Sequence, residues 1–187
     1  MTEWKKKRDI MRRYDATAHI YDGRYEQEQT AKYVAALENL QKQELGLVLD
    51  VGCGTGLLFS HIKDASRKIV GVDISRKPLL KAKQRARNSA TAEVIWADAD
   101  FIPLRVGTFD HVFAITLVQN SPNPAQTLNE IKRVSKNEGV IIVTGLKKIF
   151  SKEDFRSLLR ETGLHTESLK DEASLKCYVA MCTKIHH

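Results

Sequence analysis

Three glycines spaced two residues apart, Gly52, Gly54 and Gly56, follow directly after an apolar run at residues 47–51. Glycine has no side chain, so the backbone can turn sharply there and a ligand can approach the main chain closely. A helix that begins near Gly56 would also direct free backbone N–H groups at that ligand. A tight turn without a ligand uses glycine as well, so the residues downstream must distinguish the two. Together with them, the pattern predicts a nucleotide-type binding turn.

The spacing of these glycines disfavours two common nucleotide classes. The turn reads G-x-G-x-G, whereas the dinucleotide fingerprint G-x-G-x-x-G needs its third glycine one residue later. A P-loop needs a lysine followed directly by serine or threonine, and this turn lacks that pair. Neither a nicotinamide cofactor nor a nucleoside triphosphate is therefore favoured.

Two carboxylates lie where the next two predicted strands end. Asp73 closes an apolar segment at residues 68–73, and Asp98 follows another at residues 93–97. In a doubly wound sheet the carboxyl end of the second strand lies beside the first glycine turn, where a carboxylate can accept both hydroxyls of a ribose. Asp73 is therefore the predicted ribose ligand. Asp98 would lie at the same edge, placed to accept from the exocyclic amine of an adenine ring.

These residues and the segments after them resemble the class I S-adenosylmethionine-dependent methyltransferases, in the broad methyltransferase-11-like group that modifies small molecules and RNA. The matching segments keep the family's order across residues 45–145. They are Asp50 to Gly56, Val72 to Ile74, Ala97 to Ala99 with Pro103, Phe109 and Asp110, Leu117 to Pro124, and Glu130 to Val134. The resemblance implies an α/β fold, a Rossmann-like seven-stranded sheet of order 3-2-1-4-5-7-6 with strand 7 antiparallel and helices on both faces. It also implies a single methyltransferase domain over residues 1–187, in which residues 1–44 are helices covering the cofactor pocket and residues 45–187 are the catalytic α/β core.

S-adenosylmethionine is the cofactor that the resemblance implies, with its methionine half on the glycine turn, its ribose on Asp73 and its adenine beside Asp98. The implied cofactor-binding residues are Asp50, Gly52, Cys53, Gly54, Gly56, Asp73, Ile74, Asp98, Ala99 and Thr116, together with Tyr14 and Tyr25. The sulfonium already makes the methyl group electrophilic. The protein's main tasks would be to align the reacting groups and to exclude water.

The N-terminal segment carries a stripe of aromatic residues. Tyr14, Ala18, Tyr21 and Tyr25 recur at helical spacing, and Gly23 is the predicted end of that helix. Such a stripe usually packs in the core. The resemblance adds an alternative, because segments before the first strand commonly fold over the cofactor pocket in this family, so that Tyr14, Tyr21 or Tyr25 would close on the cofactor or the acceptor. The sequence leaves both interpretations open.

Two further helix faces are predicted in the same part of the chain. The basic run at residues 5–13 is typical of a solvated helix face. A second helix over residues 27–44 is predicted to bury Ala31, Val34 and Leu37, which recur at helical spacing.

The segment after the fourth predicted strand is where the resemblance puts acceptor contacts. Family members that methylate adenine amines or glutamine side chains usually have Asn or Asp, two prolines and an aromatic there, whereas this chain has Gln119, Asn120, Ser121 and Pro122. Those acceptors are disfavoured. Small-molecule members commonly have Glu-His at the first two positions, so this chain lacks that base. We expect Gln119 and Asn120 to orient the acceptor by hydrogen bonds; alternatively, Asn120 and Ser121 cap the next turn.

The charge balance bears on the acceptor class. The chain has a formal net charge of +7 and a pI near 9.3. The predicted helix at residues 76–90 carries the densest basic face, made of Lys77, Lys81 and Arg85 with Arg76, Lys83 and Arg87 nearby. Such a face can bind a polyanion through counterion release, although lysine also serves solubility. The predicted acceptor is RNA, either tRNA or rRNA, with a metabolite such as a quinone precursor second and a non-catalytic cofactor-binding subunit third.

The third predicted strand, residues 92–97, would be an edge of the implied sheet. It lacks the lysines and prolines that usually protect an exposed edge. Several methyltransferases of this fold take a small zinc-binding activator subunit along this edge by strand addition, which makes such a subunit a candidate partner. Alternatively, a helix and a loop cover the strand.

The three cysteines, Cys53, Cys177 and Cys182, contain no C-x-x-C pair. A zinc site needs four suitable ligands, so structural thiols and no metal are predicted, with Cys177 and Cys182 on opposite faces of a strand. No apolar run is long enough to cross a bilayer, and the charged N-terminus has no signal-type apolar core behind it. A cytoplasmic location is therefore predicted.

Overall fold

The computed structural model of the protein describes residues 2–38, 40 and 44–185. In its first half the elements are α1 (Glu3–Thr17), α2 (Tyr21–Glu38), β1 (Gly46–Val51), α3 (Phe59–Ile62), β2 (Ser66–Asp73), α4 (Arg76–Arg87) and β3 (Ala92–Trp96). In its second half they are β4 (Phe109–Ala114), a 3-10 turn (Val118–Asn120), α5 (Pro124–Val134), β5 (Ser135–Leu146), α6 (Lys152–Glu161), β6 (Leu164–Lys170) and β7 (Cys177–Lys184).

The strands form one seven-stranded sheet in the order β3-β2-β1-β4-β5-β7-β6. Strands β1 to β5 are parallel, and β7 runs antiparallel to both β5 and β6. The predicted sheet order and the antiparallel seventh strand are confirmed. The strand order reverses between β1 and β4, and the carboxyl ends of the strands beside such a reversal form a crevice in which α/β proteins bind ligands.

Apolar side chains cover both faces of the sheet because successive residues of a buried strand point to opposite sides. In β4, Val112 belongs to one apolar layer and Phe113 to the other. Cys177 and Cys182 of β7 likewise lie in opposite layers, as predicted. All three cysteines are free and buried.

The N-terminal helices begin and end elsewhere than predicted. Gly23 does not end a helix: α1 ends at Thr17, and α2 begins at Tyr21 and includes Gly23. The start of α2 is set by a tertiary contact, because the Asp22 carboxylate in its first turn accepts hydrogen bonds from the Thr55 hydroxyl at 2.6 Å and from Arg85 at 2.9 Å.

The predicted apolar face of α2 was also wrong in part. Val34 is 47% exposed, and the buried face instead carries Gln29 and Lys32 together with Tyr33. The polar pair is buried because it contacts Thr116 beyond β4, as described below. Part of the predicted 27–44 helix, namely residues 39 and 41–43, lies outside the described residues.

Tight packing at Gly145 of β5 generates a stability prediction. A Cβ atom there would lie 2.6 Å from the ring of Phe155, which is fully buried. We expect Gly145→Ala to lower the free energy of unfolding by about 1–3 kcal/mol, the usual cost of overpacking a core. Urea denaturation of the two proteins measures the difference.

Gly23→Ala is the matched control, because a Cβ atom there meets nothing within 4 Å and the residue lies inside α2. It should raise the free energy of unfolding by about 0.5–1 kcal/mol, since alanine has less backbone freedom to lose than glycine. A Gly145→Ala protein as stable as the Gly23→Ala protein would contradict the packing argument.

Candidate functional site

A cavity of about 850 Å³ opens at the carboxyl edge of the sheet, where the strand order reverses. From the predicted cofactor-binding set it is lined by Gly52, Gly54, Asp73, Ile74, Asp98, Ala99, Thr116 and Tyr14. The four other members of that set, Asp50, Cys53, Gly56 and Tyr25, do not line it. Eight residues from five separate parts of the chain thus meet at one site.

The glycine turn has the backbone geometry that requires glycine. Gly52, Gly54 and Gly56 have φ angles of +76°, +54° and +76°, in the left-handed region that L side chains rarely adopt. A Cβ atom at Gly54 would meet nothing within 4 Å, which leaves open space on the cavity side of the turn. The backbone N–H groups of Gly52 and Cys53 donate to the Val72 carbonyl oxygen at 2.7 and 3.0 Å. These bonds fasten the turn to β2.

Asp73, at the end of β2, is held at the cavity by backbone donors. Its Oδ2 atom accepts from the Gly54 N–H at 2.9 Å, and its Oδ1 atom accepts from the Ser75 N–H at 2.6 Å. Burial raises the pKa of Asp73 despite the opposing effect of these hydrogen bonds. Each carboxylate oxygen has a second lone pair, so Asp73 can still accept from the hydroxyl groups of a ribose.

Asp98 is paired with α1. Its Oδ1 atom accepts from the Asp100 N–H at 3.0 Å, and its Oδ2 atom lies 2.6 Å from the Lys7 ammonium nitrogen. Lys7 belongs to the basic run that predicts a solvated helix face, yet it is only 9% exposed and lines the cavity. Sequence reasoning missed this residue because nothing distinguishes it from the lysines beside it.

Asp50 and Cys53 lie behind the cavity wall. Asp50 is 4% exposed, and burial together with the nearby charge of Asp73 raises its pKa to about 8. Burial also raises the pKa of Cys53, whose sulfur packs behind Gly71. Both residues support the glycine turn from below.

Two of the three candidate tyrosines reach the cavity. Tyr14 and Tyr21 line it, with ring centroids 6.1 Å apart. Tyr25 packs against Tyr21, with ring centroids 5.0 Å apart and ring planes tilted by 48°, but it lies outside the lining. The stripe therefore packs on itself and also closes one wall of the cavity.

The two predicted acceptor-orienting residues are placed differently. Asn120 lines the cavity; its Nδ2 atom donates to the Tyr14 hydroxyl at 3.1 Å and to the Thr116 carbonyl at 2.8 Å, and its Oδ1 atom accepts from Arg13 at 3.0 Å. Gln119 lies outside the lining, and its Oε1 atom is buried without a hydrogen-bond partner among the described residues.

Thr116 has φ +61°, a conformation that is strained for a threonine. Its N–H donates to the Thr144 hydroxyl at 2.7 Å, and its own hydroxyl accepts from the Lys32 ammonium at 3.0 Å and donates to Gln29 at 3.2 Å. Lys32 and Gln29 are almost completely buried. These contacts from α2 and β5 hold the strained residue at the cavity wall, and no local sequence signal predicts them.

The basic face of α4 is partly used within the chain. Arg85 donates to the Thr55 carbonyl at 2.5 Å and to Asp22 at 2.9 Å, while Lys81 lies 3.8 Å from Asp22. Arg76, Lys77, Lys83 and Arg87 remain exposed. Among the described residues no group of three or more His, Cys, Asp and Glu side chains could hold a metal ion.

Burial of Asp50 predicts an effect of pH on stability. Its folded pKa of about 8 lies above the ordinary value of 3.8, so between these pH values the folded state binds more protons than the unfolded state. Stability from this group is therefore lost as the pH rises through that window. We expect Asp50→Asn to remove this loss and to be more stable than the wild type at pH 8 by a few kcal/mol, at about 1.4 kcal/mol per pKa unit.

Urea denaturation at pH 5 and pH 8 measures this effect. Asp64→Asn, at an exposed position, controls for the loss of one carboxylate. For each protein, the free energy of unfolding at pH 8 is subtracted from that at pH 5. If this difference is the same for Asp50→Asn and the wild type, the raised pKa of Asp50 is contradicted.

Several solved structures have the same fold as this chain. A solved complex between the Haloferax volcanii Trm112 methyltransferase activator and "the putative methyltransferase" superposes with a TM-score of 0.82 at 19% identity, covering 93% of this chain and 96% of that one. A SAM-dependent methyltransferase from Aquifex aeolicus gives 0.72 at 18% identity, covering 80% and 88%. At these identities the likeness shows the fold alone.

Sequence relatives extend over most of the chain. An uncharacterized protein of Methanocaldococcus jannaschii is 33% identical over 144 residues, which is 75% of this chain and 53% of that protein. The sterol 4-C-methyltransferase strm-1 of Caenorhabditis elegans is 30% identical over 153 residues, and the malonyl-[acyl-carrier protein] O-methyltransferase of Marinomonas is 26% identical over 144 residues. The two alignments cover 74% and 76% of this chain, and 46% and 53% of the respective relatives. The chain spans about half the length of these relatives.

The family model described as "Methyltransferase domain" matches residues 49–143, the part of the chain that contains the glycine turn, Asp73, Asp98 and Asn120. Together with the sheet order and the cavity at its carboxyl edge, this match shows that the chain belongs to the methyltransferase-domain family, with the class I fold and with S-adenosylmethionine as its cofactor.

Proposed function

We propose that this protein transfers the methyl group of S-adenosylmethionine to an acceptor that enters beside Asn120 and Tyr14. The observation that carries the proposal is the single cavity that brings Gly54, Asp73 and Asp98 together on one side and Asn120 and Tyr14 on another. The glycine turn would hold the methionine half, Asp73 the ribose hydroxyls and Asp98 the adenine amine. The cofactor supplies an electrophilic methyl group, and the protein aligns the acceptor and excludes water.

Residues 1–44 are proposed to form the cover of this site and residues 45–187 its catalytic core, within one domain. The contribution of α1 and α2 to the cavity supports this division, because Lys7, Tyr14 and Tyr21 all line it. The hydrogen bonds from α1 to Asn120 and from α2 to Thr55 connect the cover to the core.

The acceptor that the geometry favours is a small molecule. The rings of Tyr14 and Tyr21 line the cavity and could pack against an apolar group of the acceptor. Matched relatives are named as methyltransferases of a sterol, of malonyl-[acyl-carrier protein] and of ubiquinone biosynthesis. Two of the cations expected to face a polyanion, Lys81 and Arg85, pair instead with Asp22.

RNA, which the charge balance of the sequence favoured, becomes the second candidate acceptor. Its support is the formal net charge of +7 and the four exposed cations of α4. Exposed cations attract a phosphate backbone through counterion release.

Transfer of labelled methyl from S-adenosylmethionine into a fractionated extract of the source organism tests the function. We expect label in the small-molecule fraction, unchanged by ribonuclease. Label that ribonuclease removes would establish RNA as the acceptor instead. The Asp73→Asn protein is the control for background labelling, because this substitution weakens the proposed ribose contact.

Asn120 and Gln119 form a matched pair for the acceptor side. Asn120→Ala should lower kcat by roughly tenfold to a hundredfold, as loss of a positioning contact does, with little change in cofactor affinity. Gln119→Ala should leave kcat close to the wild-type value, because its side chain lies outside the cavity. Steady-state kinetics and cofactor titration measure both; a larger effect at Gln119 would reverse the assignment of the two residues.

We also propose that the free edge of β3 binds a small zinc-binding activator subunit by strand addition. β3 is an edge of the sheet, and Trp96 and Phe101 beside it are 61% and 72% exposed. The Haloferax volcanii neighbour was solved in complex with an activator, Trm112. Strand addition uses the unpaired backbone groups of an edge.

Val94→Pro tests that surface. The Ala97 N–H and the Thr91 carbonyl form hydrogen bonds to β2. Alternate residues of a strand direct their backbone groups to opposite sides, so the N–H of Val94 points to the free edge. Proline there should abolish co-purification with a Trm112-type subunit while cofactor binding persists. Val106→Asp, at another exposed apolar position, is the control. Equal recovery of the subunit with both variants would rule out this edge.

A cytoplasmic location is proposed as well. Its support is the three reduced, buried cysteines, because proteins of oxidising compartments commonly pair theirs. In the part of the chain that the structure describes, no helix is long and apolar enough to cross a membrane.

A further inference from the structure

Helix α1 has an unusual attachment to the rest of the protein. Lys7, 9% exposed, is the single buried residue of its fifteen. By contrast, α5 buries Leu128, Ile131 and Val134 in eleven residues. Most of a helix's stability in a protein comes from packing an apolar face. α1 lacks such a face and is held largely by polar contacts, so it belongs to the part of the structure that opens most easily.

The strongest of these contacts is the buried ion pair of Lys7. Its ammonium nitrogen lies 2.6 Å from Asp98 Oδ2 and also contacts Asp100, and it sits 5.7 Å from the centre of the Phe101 ring. Asp100 is 3% exposed and accepts a hydrogen bond from Thr127 as well. Burial works to lower the pKa of Lys7, but the hydrogen bonds to Asp100 and Asp98 outweigh it and raise the pKa. Lys7 is therefore charged at neutral pH.

The other polar contacts of α1 include the Tyr14 hydroxyl, which accepts from Asn120 at 3.1 Å, and the Glu3 carboxylate, which accepts from Asn123 at 3.4 Å. Asp15 accepts from the Lys77 N–H at 2.8 Å, and Arg13 donates to Asn120 at 3.0 Å, both near the surface. After α1, a turn at residues 18–20 leads into α2, whose Asp22 is bound to Thr55 and Arg85. α2 is thus anchored to the core, and the turn is the place where α1 can hinge.

The ligand cavity connects α1 to the proposed cofactor. Lys7, Ile10 and Tyr14 of α1 line it, and Asp98 is the carboxylate proposed for the adenine amine. A carboxylate offers about four acceptor positions, so Asp98 can accept from an amine while it keeps Lys7. A neutral amine is a weaker donor to a carboxylate than an ammonium group, so the bound cofactor would not displace Lys7.

We propose that α1 is a strap closed over the cofactor cavity and that Lys7 is its latch, so that the cofactor leaves only after the contact of Lys7 with Asp98 and Asp100 opens. The inference rests on the proposed cofactor site. It assigns to Lys7 a role in retaining the cofactor rather than in methyl transfer.

Lys7→Met tests the latch, because it keeps an unbranched side chain, one atom shorter, and removes the charge. Lys6→Met is the matched control, since it removes one charge from an exposed position of the same helix. Stopped-flow tryptophan fluorescence with S-adenosylhomocysteine gives the association and dissociation rates. Loss of a charged hydrogen bond should make dissociation about tenfold faster or more in Lys7→Met, with wild-type rates in Lys6→Met.

Hydrogen exchange of the α1 backbone amides, measured without any ligand, reports independently how firmly Lys7 holds α1. Exchange across residues 3–17 should be faster in Lys7→Met than in Lys6→Met, with β1 and β4 unchanged. Lys7→Met leaves Asp100 buried without a cation, which could prevent folding. In that case the double variant Lys7→Met/Asp100→Asn, which also removes the Asp100 charge, replaces Lys7→Met in both measurements.

The outcomes separate the latch from the cofactor site. Equal dissociation rates, or equal α1 exchange, in the two lysine variants would overturn the latch. Tighter binding in Lys7→Met would also overturn it, because Lys7 would then compete with the cofactor for Asp98. A wild-type protein that binds neither S-adenosylmethionine nor S-adenosylhomocysteine would overturn the proposed function and the cofactor role of Lys7, while the exchange rates would still report how α1 is held.

Discussion

The site depends on the hydrogen bonds that fasten the glycine turn to the end of β2. Two consecutive N–H groups of the turn donate to the Val72 carbonyl, and the Gly54 N–H donates to Asp73. These bonds require positive φ angles at three positions, which only glycine adopts at little cost. They also require that β1 and β2 be adjacent and parallel, which the sheet order provides. A residue with a side chain at Gly52 would meet Leu117 at 2.9 Å and push the segment after β4 away from the cavity.

Carboxylates are concentrated around this turn. Burial, and to a smaller extent the charge of Asp73, raises the pKa of Asp50, and burial also raises the pKa of Asp73. Ionising both groups without a nearby cation is unfavourable. The proposed cofactor carries a net positive charge, because its sulfonium and amino groups outnumber its one carboxylate, and it would offset part of this cost. On the adenine side the chain supplies a cation itself, since Lys7 lies between Asp98 and Asp100.

Short-range contacts set the starts of two helices. Asn123 caps α5 with Pro124 at its first position, and Ser151 caps α6 through the Asp154 N–H, and these contacts join residues within one turn. The order of the strands followed from the resemblance of several segments in series. The prediction at Gly23 was wrong, because the helix boundary there depends on Asp22 reaching Thr55 and Arg85 rather than on the glycine.

By itself, the sequence determined the glycine turn, the two strand-end carboxylates Asp73 and Asp98, and the sheet that brings them to one edge. Those features are local, or follow from strand order, and backbone sterics require them. The tertiary structure alone decided which polar residues of the N-terminal helices enter the site. Lys7 and Asp98 are 91 residues apart, and Lys32 and Thr116 are 84 apart. Lys7 lies among other basic residues, and nothing local marks Lys32 for burial, so only the packing of α1 and α2 onto the sheet selects them.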